Sequence, residues 1–247
     1  MEKEVGGSVV SCLRTLVRIC ACVNHWLGIV YACMYLNVPN FKRNDRLAEL
    51  GQSKYLTFWD MCLQSLYFTI CVLNDIAGSN EIAPKNPPLI RRIKDYMLCT
   101  VAFPVSMFVG LTFWGLYAID RELVFPKALD PYFPSWLNHV MHTNIMIFIV
   151  LEMVLSFRKY PTRGNGTGGL TAFMCVYLVW TFIIYFYSGA WVYPVLEVLN
   201  WGQRAIFFIV LLLFVNSLYF VGEFVNKTIW GKELRQLERA GSHKRSN

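Results

Sequence analysis

Residues 205–221 read AIFFIVLLLFVNSLYFV, and no Asp, Glu, Lys or Arg interrupts the stretch. A helix of about 20 apolar residues spans the hydrocarbon core of a bilayer, because its backbone hydrogen bonds are satisfied within the helix. The segment therefore predicts a membrane-spanning helix. The same pattern recurs and predicts six spans, at residues 17–36, 55–77, 96–118, 136–156, 169–188 and 205–226.

The composition of the whole chain also favours a membrane protein. Of 247 residues, 55% are hydrophobic and 16% are charged, whereas a soluble domain carries about 25% charged residues. We therefore predict an all-α, polytopic membrane helix bundle. Residues 1–16 would be an N-terminal segment, residues 17–226 one six-helix transmembrane domain, and residues 227–247 a polar tail that is either a frayed helix or disordered.

The basic residues predict how the bundle is oriented. Fifteen Lys and Arg residues flank the spans on the side of the two termini, and seven flank them on the other side. Because cytosolic loops are enriched in Lys and Arg, both termini are predicted to be cytosolic. The glycosylation sequons at Asn165 and Asn226 should then stay unmodified. The net charge of +7 is spread over these loops, so no nucleic-acid partner is expected, and the endoplasmic reticulum and plasma membrane both fit.

Two polar groups lie near the predicted non-cytosolic ends of different spans. Thr57 lies near the start of the second span and His142 near the start of the fourth, at comparable depth. Thr57, Asp60 and Gln64 share one helical face, and Asn138 precedes His142 by one turn. Polar side chains in a membrane helix usually face the bundle interior, so these residues are expected to point inward.

Thr57 and His142 could have either a structural role or a catalytic role. A threonine in a membrane helix commonly bonds the preceding turn of its own helix. A threonine hydroxyl beside a histidine can instead become a nucleophile, because the base removes its proton. Asp60 and Asn138 could orient the histidine or hold neighbouring helices together, and the sequence favours the second role.

Two other functions use the same ionisable residues. His139 and His142 could offer two ligands to a zinc ion, with Asp60 or Glu152 adding a carboxylate. The chain has four histidines in all, too few for a membrane di-iron enzyme, while a single zinc ion stays an alternative. We predict no metal and no cofactor. A transporter or a regulatory membrane protein could use Asp60, Glu152 and Glu223 as ion or proton sites. The sequence lacks the paired broken helices that are typical of transport sites.

Several blocks of sequence carry a more specific signal. They read KYLT at 54–57, AFPV at 102–105, DRELVFPK at 120–127 and WLNHVMHT at 136–143, with shorter blocks GLT at 169–171, WVYP at 191–194 and GE at 222–223. These blocks resemble the androgen-induced membrane protein family, which includes the androgen-dependent regulator of tissue factor pathway inhibitor. The similarity extends in order from about residue 51 to residue 230.

The resemblance implies a multi-pass threonine hydrolase that cleaves fatty acid esters of hydroxy fatty acids. It implies Thr57 as the catalytic nucleophile and His142 as the catalytic base, and assigns no catalytic role to His139. The expected partners are the lipid substrate and the bilayer. The chain departs from the family pattern in its longer N-terminus and in Ser53, where family members often have Trp.

Overall fold

A computed structural model describes residues 2–36, 38, 45–82 and 86–243. Within these ranges the chain forms six long helices and no β-strand. The helices are α1 (Glu2–Met34), α2 (Leu56–Ala77), α3 (Leu89–Ile119), α4 (Ser135–Leu155), α5 (Arg163–Ser188) and α6 (Trp201–His243). Two short helices, Asp45–Glu49 and Pro194–Val198, lie in the connections before α2 and before α6.

All six predicted spans are confirmed as helices that are long and apolar enough to cross a membrane. The helices extend beyond the apolar runs, because a helix continues into polar sequence until a turn signal ends it. α1 already begins at Glu2, and α6 continues to His243 with a kink at Trp230. Most of the segments predicted as an N-terminus and a frayed or disordered tail are therefore helical.

Helix α3 forms the centre of the bundle. In an apolar stretch of 18 residues in α3, 67% is buried inside the bundle. The corresponding share is 28% in α1 and 22% in α6. α3 packs against α2, α4, α5 and α6, while α1 lies along α2 and α4. Large apolar side chains such as Leu213 and Phe224 remain exposed on the outer helices, as expected for surfaces that face lipid tails.

A buried cluster of charges ties the end of α4 to α1 and α2. Arg18 of α1 is fully buried and donates to both carboxylate oxygens of Glu152, at 2.6 and 2.9 Å. It also donates to Ser156 Oγ at 2.6 Å and to Asp75, and Arg158 donates to the backbone oxygen of Glu152 at 2.9 Å. Burying a charge is costly unless it is paired and hydrogen-bonded. Arg18 and Glu152 meet that requirement for each other, while Nε and Nη1 of Arg158 have no hydrogen-bond partner among the described residues.

The remaining membrane carboxylates also have partners in the bundle. Glu223 bonds to Arg163 at 3.1 Å and to Lys227 at 2.8 Å. Asp60 is fully buried and accepts a hydrogen bond from Gln64 at 2.9 Å. The three carboxylates that a transporter would use therefore have partners within the fold.

Two helices contain a wider π-helical turn, at Leu98–Ala102 in α3 and at Val140–Asn144 in α4. Such turns shift the register of a helix by one residue and occur often at functional sites. In α3, Gln64 Nε2 of α2 donates to the carbonyl of Ala102 at 3.0 Å. In α4, the turn contains His142.

Candidate functional site

An apolar cavity opens at the end of the bundle where α2 and α4 begin. Its volume is about 670 Å³, a size typical of pockets that bind small organic ligands. The start of α2, parts of α3, α5 and α6, the π-helical turn of α4 and the segment 192–196 line it. Among the described residues, no Asp or Glu lines the cavity. Thr57 and His142 both do.

Thr57 lies in the first turn of α2, because the preceding Tyr55 has an extended backbone with φ −97° and ψ 134°. Two threonines deeper in the helices bond their own preceding turn: Thr69 donates to Ser65 O at 2.7 Å and Thr181 to Tyr177 O at 3.0 Å. Thr112 of α3, which also lines the cavity, has no hydrogen-bond partner among the described residues. The residue four positions before Thr57 precedes the helix. Within the described chain, the Thr57 hydroxyl has no hydrogen-bond partner, so it is available to a ligand.

Several contacts hold the ring of His142 in the cavity wall. It is 5% exposed and stacks on Phe113 with 3.5 Å between ring centroids and an interplanar angle of 12°. Its Nδ1 atom lies 3.0 Å from the backbone oxygen of Asn138 and 2.8 Å from Asn138 Oδ1. Close packing supports this arrangement, because a side chain on Gly110 of α3 would come within 2.7 Å of the His142 carbonyl.

These contacts determine which ring nitrogen of His142 carries the proton. A backbone carbonyl can only accept a hydrogen bond, so Nδ1 of the neutral ring must be the donor. The lone pair then lies on Nε2, which has no hydrogen-bond partner among the described residues. A neutral imidazole with an available Nε2 is the form that can remove a proton from a hydroxyl.

The structure separates the two residues that were considered as orienters of the histidine. Asn138 contacts His142 directly, so the sequence-based preference for a helix-packing role was wrong for this residue. Asp60 bonds Gln64 instead and does not line the cavity. Spacing on one helical face could not separate these cases, because the rotation of each helix decides which polar side chain reaches the ring.

The two histidines of the His-x-x-His block face different surroundings. His139 Nδ1 lies 3.1 Å from Thr143 Oγ1, and its ring stacks on Trp114. His139 does not line the cavity. In the described part of the chain, no three His, Cys, Asp or Glu side chains converge as a metal site would require.

Two tyrosines at the site were missed by the sequence reasoning. Tyr193 Oη accepts a hydrogen bond from the backbone N–H of Leu56 at 2.9 Å, and Tyr177 Oη donates to the carbonyl of Lys54 at 2.9 Å. The WVYP block at 191–194 contains Tyr193 and was a signal for it. Phe113 lies in an apolar run, and no pattern in the sequence marks it as the partner of His142.

The chain matches the model of the FAR-17a/AIG1-like protein family over residues 14–227. It is similar to the androgen-induced gene 1 protein of Homo sapiens, with 40% identity over 186 residues that cover 73% of this chain and 78% of that protein. It is also similar to the androgen-dependent TFPI-regulating protein of Mesocricetus auratus, with 36% identity covering 90% of this chain and 98% of that protein. The human protein of the same name is 36% identical, covering 77% and 82%.

No solved structure matches this chain. The family matches confirm the resemblance that the sequence blocks indicated, and they include the segments that carry Thr57 and His142. The comparisons therefore establish the family. The contacts of Thr57 and His142 at the cavity are the observations from which a chemical role can be argued.

Proposed function

We propose, from the premise that the chain belongs to the FAR-17a/AIG1-like family, that it is a membrane-embedded hydrolase of fatty acid esters of hydroxy fatty acids. Thr57 is the nucleophile and His142 is its general base. The observation that carries the proposal is that these residues, from two different helices, line one apolar cavity. The available Nε2 of His142 and the unbonded hydroxyl of Thr57 support it.

In the first step, His142 Nε2 removes the proton of the Thr57 hydroxyl as the oxygen attacks the ester carbonyl. The C–O bond to the hydroxy fatty acid breaks, and the imidazolium returns the proton to the leaving oxygen. The product is a hydroxy fatty acid, and the fatty acyl group remains as an ester on Thr57. Asn138 holds the Nδ1 proton throughout, which favours transfer at Nε2.

In the second step, His142 Nε2 removes a proton from water, which attacks the acyl-threonine carbonyl. The bond to Thr57 Oγ1 breaks and that oxygen takes the proton back from the imidazolium. The released fatty acid and the restored threonine complete the cycle. The first turn of α2 supports both steps, because the N-terminal end of a helix carries a partial positive charge that stabilises negative charge nearby.

The walls of the cavity support a lipid substrate. Apolar side chains such as Phe108, Leu178 and Leu212 line most of it, and acyl chains gain free energy by leaving water for such a surface. We expect the substrate to enter from the bilayer, because the outer helix faces are apolar as well. No metal or cofactor takes part in the proposed steps.

The test is ester hydrolysis by purified variants. Thr57→Ala removes the nucleophile and His142→Ala removes the base, so each should lower kcat by at least about 10³-fold. The double variant should be about as inactive as either single one, because the two residues act as one unit. Thr57→Ser keeps the hydroxyl and should retain part of the activity. The measurement is release of fatty acid from a branched ester by protein in detergent or vesicles.

Matched controls separate catalysis from folding. Thr69→Ala removes a threonine of the same helix whose hydroxyl bonds Ser65 O, and His139→Ala removes the neighbouring histidine outside the cavity. Both controls should keep most of the activity. Near-normal hydrolysis by both Thr57→Ala and His142→Ala would overturn the proposal. An inactive wild-type protein would leave the transporter or regulatory alternative.

A further inference from the structure

The backbone just before Thr57 accepts hydrogen bonds from aromatic side chains of α2 and α5. The carbonyl of Ser53 accepts hydrogen bonds from the indole nitrogens of Trp59, at 2.7 Å, and Trp180, at 3.0 Å. The carbonyl of Lys54 accepts one from Tyr177 of α5 at 2.9 Å. The turn before α2 is therefore anchored to α5.

Two phenols complete a closed chain of hydrogen bonds around this turn. Tyr193 Oη lies 2.9 Å from the backbone nitrogen of Leu56 and 3.2 Å from Tyr177 Oη. The Leu56 N–H can only donate, and the Lys54 carbonyl can only accept. Leu56 N–H therefore donates to Tyr193 Oη, Tyr193 Oη donates to Tyr177 Oη, and Tyr177 Oη donates to the carbonyl of Lys54.

This arrangement replaces a normal helix cap. The first N–H groups of a helix have no partner within it, and a Ser, Thr, Asp or Asn side chain commonly accepts from one of them. α2 has Tyr55 at this position and no such side-chain bond. Tyr193, from the segment between α5 and α6, accepts the hydrogen bond instead. The place where α2 begins is thus set by tertiary contacts.

The nucleophile is one residue beyond the anchored Leu56. A shift or rotation of the first turn would therefore move the Thr57 hydroxyl relative to Nε2 of His142, whose own position is set by Asn138 and Phe113. A misplacement of about 1 Å can lower a reaction rate by about 10²-fold.

We propose that Tyr177 and Tyr193 are positioning residues, which hold the start of α2 so that Thr57 meets His142 in reactive geometry. This inference rests on the proposed hydrolase function. Neither phenol takes part in the chemistry, because all of their protons are engaged with each other and with the backbone. Both tyrosines line the cavity, and phenylalanine keeps the ring, so removing either hydroxyl should slow the reaction while the shape of the wall is kept.

The phenol of Tyr193 remains a neutral hydrogen-bonding group over the physiological range. Burial raises the pKa of Tyr193 above its usual value of 10, because the phenolate would lose its hydration. The hydroxyl can therefore donate and accept at any pH at which the protein works. The positioning should not add a titration of its own to the pH profile of hydrolysis.

The experiment compares Tyr177→Phe and Tyr193→Phe with the wild-type protein. Each variant loses one oxygen and keeps the ring. We expect kcat to fall by about tenfold to 10²-fold, while KM changes by less than about threefold, since the apolar cavity is intact. The double variant should be close to the more severe single one, because both hydroxyls belong to one hydrogen-bonded ring. The rate at which a serine-hydrolase probe labels Thr57 should fall in parallel.

Tyr185→Phe is the matched control. Tyr185 is also on α5, stacks on Trp191 with 4.3 Å between ring centroids, and does not line the cavity. Its hydroxyl has no hydrogen bond to a described residue, so this variant should keep wild-type kcat and KM. Thermal unfolding of all variants, followed in the same detergent, corrects each rate for the folded fraction.

The outcomes separate this inference from the function on which it rests. If Thr57→Ala is inactive but both phenylalanine variants keep wild-type kcat, the positioning role is wrong and the hydrolase stands. If Thr57→Ala and His142→Ala both keep near-normal activity, the catalytic assignment fails and the positioning role fails with it. A fall in thermal stability with unchanged kcat per folded molecule would also overturn the inference. Should Tyr193→Phe not fold, Tyr177→Phe tests the same ring from the other side.

Discussion

Asn138 is the residue that orients His142 in the proposed mechanism. Both of its oxygens lie within 3.0 Å of His142 Nδ1, so backbone and side chain hold the same proton. The backbone carbonyl survives any substitution, while the amide does not. The orientation of the histidine should therefore be weakened, but not lost, when the side chain is removed.

We predict that Asn138→Ala lowers kcat for ester hydrolysis by about tenfold. The reason is that the ring keeps one of two acceptors and samples orientations in which Nε2 points away from Thr57. His139→Ala, measured in parallel, should have a much smaller effect. Wild-type activity in Asn138→Ala would mean that the backbone carbonyl alone orients the ring. A loss as complete as that of His142→Ala would mean that Asn138 contacts the substrate.

At the scale of the elements, the buried pair Arg18–Glu152 joins the outer helix α1 to α4. Glu152 lies about 15 Å along α4 from His142, at 1.5 Å per residue, toward the end away from the cavity. Arg18 falls inside a predicted span and was overlooked in the sequence, because its long apolar neighbours dominate the pattern. Its partners belong to α2 and α4, which no single-helix pattern can indicate.

We predict that Arg18→Met destabilises the fold by about 3–5 kcal/mol, because it leaves the Glu152 carboxylate with less compensation in a buried site. The double variant Arg18→Met/Glu152→Met should recover only part of this loss, because it leaves the buried Arg158 without the Glu152 carboxylate. Arg163→Met is the control, since Arg163 is 65% exposed in its pair with Glu223, and such pairs contribute about 0–1 kcal/mol. Thermal unfolding in detergent measures the effect. An Arg18→Met protein as stable as the wild type would contradict it.

At the scale of the whole molecule, the direction of the helices decides which side of the membrane the cavity opens to. With both termini in the cytosol, as the distribution of basic residues predicts, the starts of α2 and α4 lie at the non-cytosolic face. The proposed catalytic pair, Thr57 and His142, would then lie close to that face. The charged cluster around Arg18 would lie at the cytosolic face.

We predict that Asn165 carries no glycan. An epitope tag after residue 247 should be stained by antibody in cells whose plasma membrane alone is permeabilised, and not in intact cells. Asn165 is the informative sequon because its side chain is exposed. Asn226 is 1% exposed and donates to the Arg158 carbonyl, so it would resist modification on either side. An endoglycosidase-sensitive shift that Asn165→Gln removes would reverse the orientation.

The sequence by itself determined the six membrane helices, because about 20 apolar residues in a row have no other stable arrangement in a bilayer. It also indicated that Thr57 and His142 lie at similar depth, since residue number along a helix converts directly into height. The blocks KYLT and WLNHVMHT then indicated the family, which the comparisons confirmed. The depth of a residue in the membrane and the family of a chain can both be predicted from the order of amino acids along the sequence.

The tertiary structure alone decided which neighbours these residues meet. Asn138 rather than Asp60 holds His142, Tyr193 replaces the missing cap of α2, and Arg18 finds Glu152. The physical reason is that most faces of a membrane helix are apolar, so hydropathy does not specify how the helix is rotated. That rotation follows from close packing, such as the approach of Gly110 to the His142 carbonyl, and from pairing of the few buried polar groups.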